Sequence, residues 1–309
     1  MERIENFRQM SDFLARNKQR RRIAVVCGSD ASTLAAIKLI LEKDLANVLF
    51  VGSGAAVKAS GLLSAFPASC SVTDAADAPD SARKAVELIR RGEADVLMKG
   101  LIGTDVLLRA VLDKEHGLLP SGHVLTHMAV AQLPAYGKLL FFSDAAVIPY
   151  PTHEQRCAQV GYAARVLRAF GIAEPCISLI HCTEKPSEKF PHTMGYAEIK
   201  ERASQGDWGH ILIDGPLDVR TSCDPQACAA KSIDSSVGGR ADVLIFPDIE
   251  AANAFYKTLS FLAGGKVAGM LCGASCPVVL PSRGDDAEAK FNSLMLALMT
   301  VEGGKVSKE

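Results

Sequence analysis

Ser282-Arg283-Gly284-Asp285-Asp286-Ala287-Glu288 puts one hydroxyl, one guanidinium and three carboxylates between the apolar run Val278 to Leu280 and a helical pattern over Ala287 to Met299. A strand-to-helix turn leaves backbone N–H groups unpaired at the positive end of the helix dipole, so the segment is suited to holding an anion. Arg283 adds a fixed charge and a forked donor. Asp285 followed three residues later by Glu288 also reads as a capping-box variant for the last helix. Ser282 has no base beside it in sequence and no Gly-x-Ser-x-Gly elbow, so it is a poor candidate nucleophile.

A second strand-loop-helix anion candidate is Lys99-Gly100-Leu101-Ile102-Gly103-Thr104, with Arg109 in the helix that follows. It does not fit the Gly-x-x-x-x-Gly-Lys-Ser/Thr phosphate loop, which weakens an ATPase reading. Val51-Gly52-Ser53-Gly54 follows a strand but has neither the third glycine nor the spaced acid of a dinucleotide site. His123 and His127 lack a His-Glu-x-x-His frame, and Cys272 and Cys276 lack further ligands, so no metal is expected.

These residues need a scaffold, and the hydrophobic pattern supplies one. Mostly continuous apolar runs at Ile23 to Cys27, Val48 to Val51, Asp95 to Met98, Leu139 to Phe142, Ile177 to Ile180, Ile211 to Ile213, Val243 to Phe246, Val267 to Leu271 and Val278 to Leu280 read as strands. Helical patterns lie between them, including Ser81 to Arg91, Thr104 to Lys114, Glu154 to Phe170 and Glu250 to Leu262. An amphipathic segment carrying Ile4, Phe7, Met10 and Phe13 opens the chain. The class is α/β, with about ten strands in mainly parallel sheets. Ligands of such sheets bind beyond the carboxyl ends of the strands, which selects Lys99, Asp144, Asp214, Asp248, Ser282 and Arg283. The Pro-rich stretch Ile148-Pro149-Tyr150-Pro151 marks a domain boundary.

Composition narrows the partners. With 34 basic and 35 acidic side chains, the net charge is −1, so no global positive field holds a nucleic acid or an anionic membrane. Aromatic residues are only 6%, too few for the stacking platforms of single-strand binders. No apolar stretch approaches the ~18 residues of a membrane span, and the first residues lack a signal-peptide core. A cytoplasmic location is expected, and the nine cysteines, without a Cys-x-x-Cys pair, are expected to be reduced.

Four stretches together resemble the phosphate acetyltransferase and phosphate butyryltransferase family over nearly the whole chain. They are Ala94-Asp95-Val96-Leu97-Met98-Lys99-Gly100, Asp214-Gly215-Pro216-Leu217, Phe246-Pro247-Asp248-Ile249-Glu250-Ala251-Ala252-Asn253-Ala254-Phe255-Tyr256-Lys257, and Ser282-Arg283-Gly284-Asp285. The Met-Lys-Gly and Asp-Gly-Pro-Leu forms are more similar to the butyryl branch.

The resemblance implies a two-domain α/β/α architecture like that of isocitrate dehydrogenase, with a cleft between domains formed by 1–148 plus 283–309 and by 149–282. It implies reversible transfer of a short acyl group between coenzyme A and inorganic phosphate, with coenzyme A as substrate, no metal or redox cofactor, and a homo-oligomer of at least two chains. Ser282 and Arg283 would meet the acyl phosphate, Arg109 would bind coenzyme A, and Lys257 would lie near the cleft. Thr104, Asp144 and Asn253 are further motif positions, as are Lys99 and Asp214.

Direct attack by the coenzyme A thiolate on an acyl phosphate needs a base, donors for the oxyanion and cations for the phosphate. A carboxylate near ~4 is a poor match for a thiol near ~8.5 unless desolvation raises it. Acetyl-type relatives place an aspartate seven residues after the serine, where this chain has Ala289; the butyryl-like spacing offers Asp285, with Asp286 and Glu288 close by. Arg220 and Ala252 also depart from the pattern. The alternatives are therefore an acetyl-specific enzyme and a catalytically weak homologue that binds coenzyme A or an acyl phosphate.

Overall fold

A computed structural model describes residues 2–17, 20–282 and 284–301. In chain order its first elements are α1 (Phe7–Arg16), β1 (Arg21–Val26), α2 (Ala31–Glu42), β2 (Ala46–Val51), α3 (Gly54–Ala59), α4 (Leu62–Ala65), β3 (Cys70–Thr73), α5 (Ala78–Arg90), β4 (Val96–Lys99) and α6 (Thr104–Val111). Next come β5 (Thr126–Leu133), β6 (Tyr136–Ser143), α7 (His153–Ala169), β7 (Cys176–Ile180), α8 (Tyr196–Ser204), β8 (Leu212–Leu217), α9 (Val219–Cys223), α10 (Pro225–Ala230), β9 (Val243–Ile245) and α11 (Ile249–Lys257). The last are β10 (Lys266–Cys272), β11 (Val278–Val279) and α12 (Ala287–Thr300).

The chain divides into two compact units. A flanking unit comprises Phe7–Leu125 and the chain from Ala268 onward; an inserted unit comprises Thr126–Val267 with the preceding residues 2–6. The division falls elsewhere than at 148/149 and 282/283, and strand pairing explains why. β5 and β6 form an antiparallel hairpin, and β6 then pairs in parallel with β9, so the hairpin belongs to the inserted unit. β11 pairs in parallel with β4, which places the strand before Ser282 in the flanking unit. Pro149 and Pro151 lie in the loop ahead of α7, inside the inserted unit.

In the flanking unit the strand order is β3-β2-β1-β4-β11-β10, parallel except for the β10–β11 pair. Residues Ile23 to Val26 and Val96 to Lys99 are buried throughout, as strands covered on both faces must be. α12 is buried at every position from Lys290 to Met299, so it is a core helix rather than a surface one. It packs on α2 and on α1, whose Phe7, Met10 and Leu14 form the buried stripe.

The inserted unit has the order β5-β6-β9-β7-β8. Its core is aromatic: the Phe142 ring meets Phe255 at 5.2 Å and Phe246 at 6.4 Å, both edge-on. α7 starts with a capping box, the Thr152 hydroxyl accepting from Gln155 N–H and the Gln155 carbonyl from Thr152 N–H.

Several expected elements move. The helix read over Glu250 to Leu262 stops at Lys257 and continues as one π-helical turn, Thr258–Leu262. Thr104 to Lys114 ends at Val111. The strand read as Ile211 to Ile213 runs from Leu212 to Leu217.

Inside the flanking unit, buried Lys290 on α12 donates to Asp30 Oδ1 at 2.8 Å, Ser32 Oγ at 2.8 Å and Thr33 Oγ1 at 3.0 Å. Asp30 is also the N-cap of α2, accepting from Thr33 N–H. Burial alone would raise the Asp30 carboxyl, but the bonds from Lys290, Thr33 and Ser32 outweigh it and hold it well below the usual carboxylate range. A carboxyl depressed in the folded state stabilises above its unfolded value of about 3.9 and loses that contribution as pH falls toward its folded value. Asp30→Asn keeps a competent cap and removes the charge. Its stability deficit in urea unfolding should be on the order of 2 kcal/mol at neutral pH and should shrink steadily below about pH 4.

Candidate active site

Parallel β1, β2, β4 and β11 end at one edge of the flanking unit's sheet, and that edge carries the segments that lead into α2, α3, α6 and α12. The turn after β4 is laced to the turn after β1: Gly100 N–H donates to Val26 O and Leu101 N–H to Cys27 O, both at 2.8 Å. Lys99 is buried, and its Nζ donates to Gly100 O at 3.3 Å. Thr104 is the first residue of α6 and is exposed, as is Arg109 near the helix end. The edge thus presents Thr104 and Arg109 to solvent while Lys99 stays inside.

The turn before α12 is closed on itself. Asp285 Oδ2 accepts from Ser282 N–H at 2.8 Å, Asp285 N–H donates to Ser282 O at 3.1 Å, and Ser282 Oγ accepts from Gly284 N–H at 3.3 Å. The helix cap is Asp286, which accepts from Ala289 N–H at 2.8 Å. The capping role expected of Asp285 with Glu288 therefore belongs to Asp286, because one residue of turn intervenes. Asp285 instead orders the loop around Ser282. Glu288 is exposed in the first turn of α12. Arg283 lies outside the described residues.

In the inserted unit, β6, β9, β7 and β8 are parallel and share a carboxyl edge. Asp144 is only 2% exposed there. Its Oδ1 accepts from the N–H groups of Ala146 and Val147 at 2.8 Å, and its Oδ2 from Thr126 Oγ1 at 2.7 Å and His127 N–H at 3.0 Å. With its oxygens so engaged, Asp144 shapes the loop after β6. Asn253 on α11 donates to Ala145 O at 3.0 Å, joining α11 to that loop. Lys257 ends α11, exposed, with Nζ 5.2 Å from the Tyr256 ring centroid. Asp248 caps α11 through Ala251 N–H.

Asp214 does not lie beyond a strand end. It sits within β8, opposite Ser178, and its carboxylate accepts from Lys200 Nζ at 3.0 Å and from Gly215 N–H. The flanking unit thus carries Lys99 at the end of β4, and Thr104, Arg109, Ser282, Asp285 and Glu288 on segments that follow its strands. The inserted unit brings together Asp144, Asn253 and Lys257 and leaves Asp214 in its sheet.

Two buried cations were not singled out from the sequence. Lys290 is the one charge in the otherwise uncharged run Phe291 to Met299 that it opens, which is the pattern of a buried, paired group. Arg156, 2% exposed, donates to Phe246 O at 2.9 Å, Pro247 O at 3.2 Å and Pro151 O at 3.3 Å, tying together the loops that lead into α7 and α11. Of the departures, Arg220 is paired along its helix with Asp224 and Ala252 is fully buried. Among the described residues no group of three or more His, Cys, Asp or Glu is placed to hold a metal ion, and no helix is long and apolar enough to cross a membrane.

Comparison with known proteins decides the family. The family model described as "Phosphate acetyl/butaryl transferase" matches residues 70–298. This chain belongs to that family of phosphate acyltransferases. It is 33% identical to a phosphate butyryltransferase of Clostridium acetobutylicum, covering 94% of this chain and 96% of the relative. It is 37% identical to a phosphate acetyltransferase of Thermotoga maritima over 71% of this chain and 74% of the relative. The crystal structure of a branched-chain phosphotransacylase from Enterococcus faecalis V583 superimposes with a TM-score of 0.80 at 28% identity, covering 92% of this chain and all of that one. A 4-hydroxythreonine-4-phosphate dehydrogenase of Klebsiella pneumoniae, at 13% identity and TM-score 0.53, shares the fold alone. The expected α/β architecture of dehydrogenase type is the one found.

Gly100 shows how tightly the flanking edge is built. A Cβ there would stand 2.4 Å from Cys27 O and 2.6 Å from Gly28 Cα, both backbone atoms. Gly100→Ala must push the two turns apart. It should cost about 1–3 kcal/mol, read as a lower midpoint in urea unfolding followed by circular dichroism.

Proposed function

We propose that the chain moves a butyryl group reversibly between coenzyme A and inorganic phosphate. The observation that carries this reading is coverage: phosphate butyryltransferases from Clostridium acetobutylicum and Clostridium beijerinckii each align with 94% or more of this chain at 33% identity. The likeness to a branched-chain phosphotransacylase of Enterococcus faecalis V583 also supports an acyl group longer than acetyl.

In this reading the thiolate of coenzyme A attacks the carbonyl carbon of butyryl phosphate, the new C–S bond forms, and the C–O bond to phosphate breaks. Ser282 suits the oxyanion: its Oγ already accepts from Gly284 N–H, so its own hydroxyl proton is available to donate. Arg283 neutralises the phosphate, and the exposed Arg109 takes a phosphate of coenzyme A. Asp285 is the assigned base, held in the same turn through Ser282 N–H. Thr104 lines the substrates beside Arg109, and no metal or redox cofactor takes part. The active form is a homo-oligomer of at least two chains, and the enzyme works in the cytoplasm without a nucleic-acid or membrane partner.

A second reading, an acetyl-specific enzyme, rests on the 37% identity to the Thermotoga maritima protein. Purified protein given acetyl-CoA or butyryl-CoA, with and without phosphate, separates the readings by release of free thiol. The expected result is phosphate-dependent release, faster with butyryl-CoA. Faster turnover of acetyl-CoA would establish the second reading, and release indifferent to phosphate would overturn both. Ser282→Ala and Arg283→Ala should each lower kcat by about 10²-fold. Asp285→Asn should do so as well, whereas Glu288→Gln should leave kcat near the parent value.

A further inference from the structure

At the carboxyl edge of the flanking unit, the turns after β1 and β4 are joined through their backbones by the Gly100 and Leu101 amides. The turn before α12 is closed on itself through Asp285. Its start is fixed by β11, which pairs with β4 at Val278 and Val279. Its end is fixed by α12.

α12 is buried at every position from Lys290 to Met299, and it packs on α2 and α1. Apolar packing has no direction of its own. Hydrogen bonds do, and α12 makes them toward two neighbours. Ser293 Oγ accepts from Gly269 N–H on β10 at 3.0 Å. Lys290 reaches instead to the turn after β1 and the first residues of α2, where Asp30 Oδ1, Ser32 Oγ and Thr33 Oγ1 accept from its Nζ within 3.0 Å. All three donors of the ammonium are engaged. The Lys290 N–H donates to Asp286 O at 3.2 Å, and Asp286 is the cap of α12, next in sequence to Asp285. One helical turn thus separates the tie to α2 from the loop that carries Ser282.

A buried ion pair adds little stability that apolar side chains of similar volume would not, whereas apolar side chains do not supply direction. We propose that Lys290 is a positioning residue for acyl transfer: its bonds to Asp30, Ser32 and Thr33 register the turn before α12 against the turns after β1 and β4. The proposal rests on the reading that Ser282 and Arg283 meet the acyl phosphate. Lys290 is 5% exposed and acts through that turn, not on substrate. A small shift of α12 displaces the groups that meet the reacting carbonyl and phosphate, a loss that falls on kcat. Arg109 stands on α6, whose leading turn is held to β1 by the Gly100 and Leu101 amides, so coenzyme A binding is spared.

Lys290→Met cuts the tie from α12, and Asp30→Ser withdraws the carboxylate from the other side while leaving a hydroxyl to cap α2. The assay is phosphate-dependent release of thiol from whichever of acetyl-CoA and butyryl-CoA turns over faster. Each variant should lower kcat by about tenfold or more, while the dissociation constant for coenzyme A, from titration calorimetry, stays at the parent value. Since either substitution removes the same tie, the double variant should lose no more than the worse single one. Urea unfolding identifies which variants are folded at the assay temperature, and either single variant carries the test where the other does not fold. Parent kcat in a folded Lys290→Met or Asp30→Ser variant overturns the proposal, as do losses that multiply in the double variant or a coenzyme A affinity that weakens along with kcat. Ser282→Ala, run beside them, keeps the two ideas apart. Parent kcat there overturns the reading of the Ser282 turn and the proposal with it; a low kcat there beside parent kcat in Lys290→Met overturns the positioning role alone.

Discussion

A parallel strand buried on both faces has to leave its hydrogen-bond ladder somewhere, and it does so at a carboxyl edge where the next segment must satisfy its own backbone. In the flanking unit that edge receives the turns after β1, β4 and β11; the first two bond to each other, as the Gly100 and Leu101 amides show, and the third closes on itself. In the inserted unit Asp144 does the same work with a side chain, gathering loop amides onto its two oxygens. Thr104 at the start of α6, Ser282 before α12 and Lys257 at the end of α11 therefore adjoin segments whose backbone is already satisfied. That ordering keeps Thr104, Ser282 and Lys257 in defined positions without requiring them to hold the fold together.

Charge is handled locally throughout. The net charge of −1 gives no field to concentrate an anion, so any phosphate must be met by individual groups. Three of the buried charges are committed elsewhere: Lys290 to Asp30 and two hydroxyls, Asp144 to amides and Thr126, Arg156 to three carbonyls. Arg109 and Lys257 remain at the surface. Interior charges thus set the shape of the loops, and exposed cations are left for the acyl phosphate and coenzyme A of the proposed reaction.

The sequence made the fold class legible because continuous apolar runs such as Ile23 to Val26 and Val96 to Met98 have few readings other than buried parallel strands. It made the turn before α12 legible as well, since Ser, Gly and Asp between a strand and a helix leave backbone donors unpaired. Three features were beyond its reach. Asp214 looked terminal because Gly215 and Pro216 resemble a strand stop, yet β8 continues through them to Leu217. The division after Leu125 depends on β5 pairing with β6 and β6 with β9, which is long-range register rather than local composition. The cap passed from Asp285 to Asp286 because neighbouring carboxylates are interchangeable in sequence and only the turn decides between them.

The central claim is transfer to phosphate rather than hydrolysis, and phosphorus NMR reads it directly. When butyryl-CoA and inorganic phosphate are mixed with the protein, an acyl phosphate resonance should grow in step with free coenzyme A and fall when excess coenzyme A is added back. Free butyrate and coenzyme A without any acyl phosphate resonance would contradict the account.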